Sequence, residues 1–247
     1  MFRRRRVGTA PPPGRHNLPV ESPLTYGSFR DLTLGEFGEK LASPDPVPGG
    51  GSASAAAASL SASLVAMVAT LSQNRPKYAD HAALYQMAIP AARRLVTELL
   101  DLADEDAAAY AACAFALKLP REAFADKEFR DNQIKATARV AAEVPLRCVE
   151  RCLEVLLLAE ALAGRSNVNA SSDLRVAALL SEAAGHGAAE NVLVNIPLIG
   201  EDDWTRAAAA RVAVLLQQIS DLKDRVHEVV ASGERRGALE ALPEVAA

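Results

Sequence analysis

Three acids stand together at Asp104, Glu105 and Asp106, and only one of them shares a face with leucines. Leu95, Leu99, Leu102, Asp106, Ala109, Cys113 and Leu117 follow one another at spacings of four, three, four, three, four and four. At roughly 100° per residue they fall on one narrow helical face, with Asp104 on the opposite side and Glu105 on the flank. A carboxylate set in an apolar stripe loses water. Desolvation disfavours its charged form and moves its pKa toward the range that a general base or acid needs near pH 7. The same spacing also suits a structural Asp paired with a helix end or a lysine.

Other residues have types suited to ligand binding. Gly49, Gly50 and Gly51 precede Ser52 at a helix start, where exposed backbone N–H groups suit a carboxylate, a phosphate or a flat ring. The string lacks the Gly-Lys-Ser/Thr ending of a phosphate-binding loop and equally fits a plain turn. Lys77 and Tyr78 suit an anionic ligand, although an exposed lysine is commonly just solvated. Asn191 and Asn195 lie one helical turn apart, so two amides share a face, for a heterocycle or for a structural network. Ser172 and Asp173 fit a helix cap. The four histidines, His16, His81, His186 and His227, form no paired spacing, and Cys113, Cys148 and Cys152 include no CxxC pair. No metal site is expected, and the cysteines read as buried free thiols in a reducing compartment.

The elements that must position these groups are helices. Half of the 247 residues are apolar, mostly Ala, Leu and Val, and 4% are aromatic, a balance that favours helix over strand. Residues 1–30 hold Arg3 to Arg6 and Pro11 to Pro13 with little periodic hydrophobicity, and are expected to be a disordered arm. A helical domain is expected over 31–232 and a flexible tail over 233–247. Its first short helix carries Leu34, Phe37 and Leu41 and ends at Pro44, Pro46 and Pro48. Gly49 to Asn74 contains no charged residue. Its Ala, Ser and Gly content argues against a membrane span, and Leu60, Leu64, Met67 and Leu71 predict a fully buried central helix of the kind found in dimer cores. A long helix is expected from about Asp80 to Leu117, kinked or restarted at Pro90. Another runs from Arg121 to Leu162, interrupted at Pro145. A polar connector follows over 164–172, then a helix from Asp173 ending at Gly185 and Gly187, a run carrying Asn191 and Asn195 to Pro197, and a last amphipathic helix from Asp202 to about Ala231. The fold class is therefore an all-α, multi-helix bundle.

A net charge of −4 gives no general electrostatic reason to seek nucleic acid or an anionic membrane. No apolar segment follows the arginines before Pro11, so a cytoplasmic protein with a small-molecule or protein partner is expected.

Taken in order, these residues resemble the cyclodeaminase/cyclohydrolase family, represented by the C-terminal domain of formiminotransferase-cyclodeaminase and by stand-alone methenyltetrahydrofolate cyclohydrolases. The likeness covers about Asp31 to Ala231. It is carried by the string PVPGGGSASA from Pro46 to Ala55, Lys77-Tyr78, Asp104-Glu105-Asp106 with Tyr110, Leu119-Pro120, Val144-Pro145-Leu146, Asn167 with Ser172-Asp173, and Asn191-Val192 through Asn195-Ile196. The resemblance implies an all-helical homodimer, a folate pocket near the subunit interface, no metal or redox cofactor beyond the tetrahydrofolate substrate, and a catalytic role for Asp106. It implies hydrolysis of 5,10-methenyltetrahydrofolate to 10-formyltetrahydrofolate, with Gly49 to Ser52 and Lys77 holding the folate and Ser172, Asp173, Asn191 and Asn195 on the pterin side. Residues 1–30 cannot form a formiminotransferase domain, an expectation that favours hydrolysis. The same pocket would serve a formimidoyltetrahydrofolate cyclodeaminase that releases ammonia, and a helical dimer that binds folate or a protein without turnover is the reading from a different class. Gln73 to Pro76 and Pro90 depart from the family pattern.

Overall fold

The computed structural model describes residues 27–239 and 241–242 and, among them, contains helices and no strand. Most of the expected basic arm, and the end of the expected tail, lie outside the described residues. Six α-helices follow in order: α1 (Leu34–Leu41), α2 (Gly50–Ser72), α3 (Ala82–Leu117), α4 (Phe124–Leu162), α5 (Ser171–Ile199) and α6 (Asp203–Ser232). Helices α2 to α5 close a ring in which each packs on the next and α5 returns to α2, while α6 covers α4 and α5 from outside.

Local chemistry sets several of the boundaries. Thr33 caps α1 in a reciprocal box with Glu36, and Asp202 caps α6 in the same way with Thr205. Gly164 and Gly233 adopt positive φ where α4 and α6 end, the conformation glycine reaches without steric cost. Beyond α6 the chain crosses the corner between α4 and α5, where the Arg236 N–H donates to the Gly164 carbonyl at 3.2 Å and Arg236 pairs with Glu160 at 2.9 Å.

The breaks expected at Pro145 and at Gly185 and Gly187 are absent, and α3 does not restart at Pro90. Pro90 lies on the exposed side of a continuous α3. Pro145 is buried inside a continuous α4, and its missing N–H leaves the Ala141 carbonyl, four residues back, without its usual donor. The Asn195 side-chain amide fills that place, donating to the Ala141 carbonyl at 3.1 Å from α5. Asn195→Ala is therefore expected to cost about 1–3 kcal/mol, the penalty for an unsatisfied buried acceptor, measured as a lower midpoint in urea unfolding. Gly185 and Gly187 do not end a helix either. A Cβ on Gly185 would come within 2.8 Å of Ile219 Cδ1 on α6, and one on Gly187 within 2.4 Å of Ser54 Oγ on α2. These glycines permit close helix crossings within an unbroken α5.

Helix α2 is one member of the ring and is buried on its inner side. Ala55, Ala58, Ala62, Val65 and Ala69 face inward and are essentially inaccessible, because small side chains let α3 and α5 approach closely. Of the stripe expected to be interior, Leu64 is half-buried against the core, but Leu60, Met67 and Leu71 turn outward and are 52%, 37% and 41% exposed. The helix is long and apolar enough to cross a membrane, but its inner side belongs to the hydrophobic core shared with α3, α4 and α5.

Candidate active site

The first turn of α2 meets the middle of α3 at Asp106. Helix α2 begins on glycine, with Gly49 at the N-cap and no side chain to cap it, so its leading N–H groups have no partner within the helix. No acid lies in its own first turn. Asp106 supplies the missing negative charge from α3, a favourable position at the positive end of a helix dipole. The Ser52 hydroxyl lies 3.0 Å from Asp106 Oδ2 and 3.0 Å from the Ala103 carbonyl oxygen. A Cβ on Gly51 would lie 2.1 Å from Asp106 Oδ1 and 2.6 Å from Oδ2, so the carboxylate rests against backbone that only glycine leaves open.

The expected stripe is present. Leu95, Leu99, Leu102, Ala109 and Cys113 are buried beside Asp106, and only Leu117, at the helix end, is largely exposed. The neighbouring acids are held elsewhere. Asp104 accepts from the Phe29 N–H at 2.8 Å and from the Ser28 hydroxyl, while Glu105 pairs with Arg147. Burial pushes the Asp106 carboxyl above its ordinary range, opposed by hydrogen bonding from the Ser52 hydroxyl and backbone. Asp106 is thus both the partner of a helix end and a partly desolvated acid, the two readings that spacing alone left open.

In front of Asp106 opens a cavity of about 240 Å³. Gly49, Gly50 and Gly51 form its floor, and Asn191 and Asn195 form one wall. Tyr110, Leu117 and Leu198 supply apolar surface, and Pro46 and Val47 form the rim. Each asparagine amide bonds one turn back along α5: Asn191 Nδ2 donates to the Gly187 backbone carbonyl and Asn195 Nδ2 to the Asn191 backbone carbonyl, both at 2.8 Å. The amides therefore line the cavity and hold the structure together. A flat, partly apolar ring with polar edges suits such a wall, and an anionic carboxylate inside it favours a cationic guest.

Not every expected site residue is gathered here. Ser52 is completely buried behind Asp106 and is not among the cavity-lining residues. Lys77 and Tyr78 lie in the 3-10 turn Pro76–His81 beyond the far end of α2, roughly 33 Å away along its 23 residues at about 1.5 Å each. There the Lys77 ammonium stands 5.7 Å from the Tyr78 ring, and Tyr78 Oη accepts from the Val168 N–H at 3.1 Å. Ser172 and Asp173 occupy the first turn of α5 at that same far end. Within one chain, the expected set divides into two groups. Tyr110, Leu117 and Leu198 were not singled out as binding residues from sequence. They are 47%, 43% and 36% exposed, no more than several large apolar residues elsewhere on the chain, so neither spacing nor exposure marks them and only the cavity does.

A profile of the formiminotransferase-cyclodeaminase family matches residues 33–214. The chain is 32% identical over 200 residues to a methenyltetrahydrofolate cyclohydrolase of Methylorubrum extorquens, an alignment covering 81% of this chain and 96% of the relative. It is also 32% identical to the formimidoyltransferase-cyclodeaminase of Rattus norvegicus over 77% of this chain, but that alignment spans only 35% of the rat protein. The fold superposes on a crystal structure of formiminotetrahydrofolate cyclodeaminase from Thermotoga maritima with a TM-score of 0.75 and 25% identity, covering 82% of this chain and 98% of that one. With the family profile spanning the site from Pro46 to Leu198, the chain belongs to the formiminotransferase-cyclodeaminase family and is a folate one-carbon enzyme.

Proposed function

We propose that this chain hydrolyses 5,10-methenyltetrahydrofolate to 10-formyltetrahydrofolate, with Asp106 as the proton-transfer group. One observation carries the assignment: a partly desolvated carboxylate, with no ion-pair partner among the described residues, lines a cavity of about 240 Å³. The cationic carbon between N5 and N10 is drawn to that charge. Water adds to it as Asp106 takes one of its protons, giving a neutral carbinol. Asp106 then returns a proton to N5 as the carbon–N5 bond breaks, and the carbinol loses its hydroxyl proton as the formyl carbonyl forms. The sum consumes one water and releases one proton. Only substrate and water are needed, with no further cofactor.

The backbone of Gly49 to Gly51 lies against one edge of the bound ring, and the Asn191 and Asn195 amides face its pterin side. Lys77, Tyr78, Ser172 and Asp173 stand too far from Asp106 to touch the same ring within one chain. Any contact they make with that ligand comes across a homodimer contact, with Lys77 suited to the glutamate carboxylate and Ser172 and Asp173 to the pterin side. The outward Leu60, Met67 and Leu71 of α2 are the face proposed to bury against a second copy in the cytoplasm.

The cyclodeaminase reaction, in which N10 attacks the formimino carbon and ammonia leaves, uses the same cavity and is favoured by the likeness to the Thermotoga maritima enzyme. Purified protein incubated with each folate in turn separates the two. Faster loss of the methenyl compound without ammonia release supports hydrolysis as the principal activity. Ammonia release from 5-formiminotetrahydrofolate at the higher kcat/KM assigns the alternative. Ligand-induced thermal stabilisation without turnover of either identifies a binding protein.

A further inference from the structure

Ser52 is buried and does not line the cavity in front of Asp106. Its side chain is inaccessible, yet its hydroxyl lies at 3.0 Å from two acceptors, Asp106 Oδ2 and the Ala103 carbonyl oxygen. A hydroxyl has a single proton to give, so it serves one acceptor at a time. The Ala103 carbonyl is a helix acceptor in its own right and does not depend on Ser52. The hydroxyl is therefore free to follow the charge on Asp106.

We propose that Ser52 is a positioning residue that occupies Asp106 Oδ2, leaves Oδ1 as the oxygen that takes and returns the proton, and turns toward the Ala103 carbonyl once Asp106 is protonated. Ser52 keeps its own proton throughout, and only the direction of its O–H bond changes. While Asp106 is ionised, the bond to Oδ2 is charge-assisted and strong. When Oδ1 gains a proton the carboxyl becomes a weaker acceptor, and the Ala103 carbonyl offers the hydroxyl a second seat. Asp106 lines the cavity, and among the described residues no side chain donates to Oδ1, which leaves that oxygen for the proton. This inference rests on Asp106 acting as the proton-transfer group and adds how one of its oxygens is selected.

The surroundings contain few competing charges. Helix α2 carries no charged side chain from Gly50 to Ser72. On α3, Tyr110 and Cys113 line the cavity, Asp104 is held by Ser28 and Phe29, and Glu105 is held by Arg147 of α4. Arg139 of α4 pairs with Asp202 at 2.6 Å, and α5 presents the amides of Asn191 and Asn195. The loop before α2 contributes Pro46 and Val47.

Ser59 provides an internal control, since its hydroxyl makes the same kind of α2-to-α3 bond, to the Val96 carbonyl at 3.2 Å, with no carboxylate attached. The titration of the Asp106 carboxyl is followed by carbon NMR in the full chain, with Asp106→Asn used to assign the signal. In Ser52→Ala the midpoint is expected to move to higher pH, while Ser59→Ala matches wild type. With 5,10-methenyltetrahydrofolate, Ser52→Ala is expected to lower kcat about tenfold, the factor associated with one hydrogen bond to a charged group, and to move the acid limb of the pH profile upward with KM little changed. Should Ser52→Ala lose the fold, Ser52→Cys makes the same comparison, because a thiol is a weak donor of similar size. An unchanged midpoint in the Ser52 variant, or an equal shift in Ser59→Ala, overturns the proposal. Wild-type protein that turns over neither folate substrate refutes the functional assignment instead, and the titration still decides the role of Ser52.

Discussion

Asp106→Asn is expected to lower kcat for hydrolysis by about 10²- to 10⁴-fold, the range a positioned general acid–base contributes, while leaving the fold intact. Asparagine keeps the shape and can still accept from Ser52, but it cannot take a proton from water. The stability of the variant separates this loss from unfolding. Burial raises the Asp106 carboxyl above its ordinary range, so the native state holds this proton more tightly than the unfolded chain. The contribution of this group to stability is then fully present below the ordinary carboxyl range and declines as pH rises through the raised folded value. Near pH 7 the ionised, partly desolvated carboxylate is a burden, and a neutral amide removes it. The thermal midpoint of Asp106→Asn at neutral pH is therefore expected to equal or exceed that of wild type, while the difference narrows as pH falls. A variant that unfolds at lower temperature would show that Asp106 mainly holds the end of α2.

Gly51→Ala is expected to be nearly as damaging to activity by a different route. Alanine in a helix is ordinarily better than glycine by roughly 0.5–1 kcal/mol. Here the added methyl would fall 2.1 Å from Asp106 Oδ1 and 2.5 Å from its Cγ, inside the space of the carboxyl group itself. Aspartate is too short to retreat far while Ser52 holds Oδ2. Either the carboxylate leaves its position or α2 moves away from α3, and overpacking of this kind costs about 1–3 kcal/mol. Gly50→Ala, one residue earlier, is the contrast. Its Cβ would meet Asn191 Nδ2 at 3.5 Å, an ordinary contact, so the fold is expected to be at least as stable as wild type in urea. Comparing the two alanine variants separates a general glycine effect from the close approach of Asp106.

Asp106 itself was legible in the sequence because helical periodicity is a local property: seven residues and a fixed angle place it among Leu99, Leu102 and Cys113 without knowledge of the fold. What it faces was not legible, since the first turn of α2 is distant in sequence and meets Asp106 only through packing. Helix existence was equally readable, but helix interruption was not. Pro145 reads as a break until the Asn195 amide is found donating to Ala141 from another helix. Gly185 and Gly187 read as an end until Ile219 and Ser54 are found against them. The orientation of α2 failed for a related reason. In most amphipathic helices the large apolar residues face the core, whereas here alanines and two valines do, because a helix packed closely by α3 and α5 has little room for leucine. Lys77, Tyr78, Ser172 and Asp173 lie at one end of the bundle, but sequence order carries no sign that this end lies a full helix length from Asp106.

The most direct measurement is the rate at which purified wild-type protein converts 5,10-methenyltetrahydrofolate to 10-formyltetrahydrofolate at neutral pH, set against the uncatalysed rate in the same buffer. The arrangement around Asp106 predicts saturable conversion well above the uncatalysed rate. Saturable binding that leaves the methenyl bridge at its uncatalysed rate, or protects it, would contradict the proposed function.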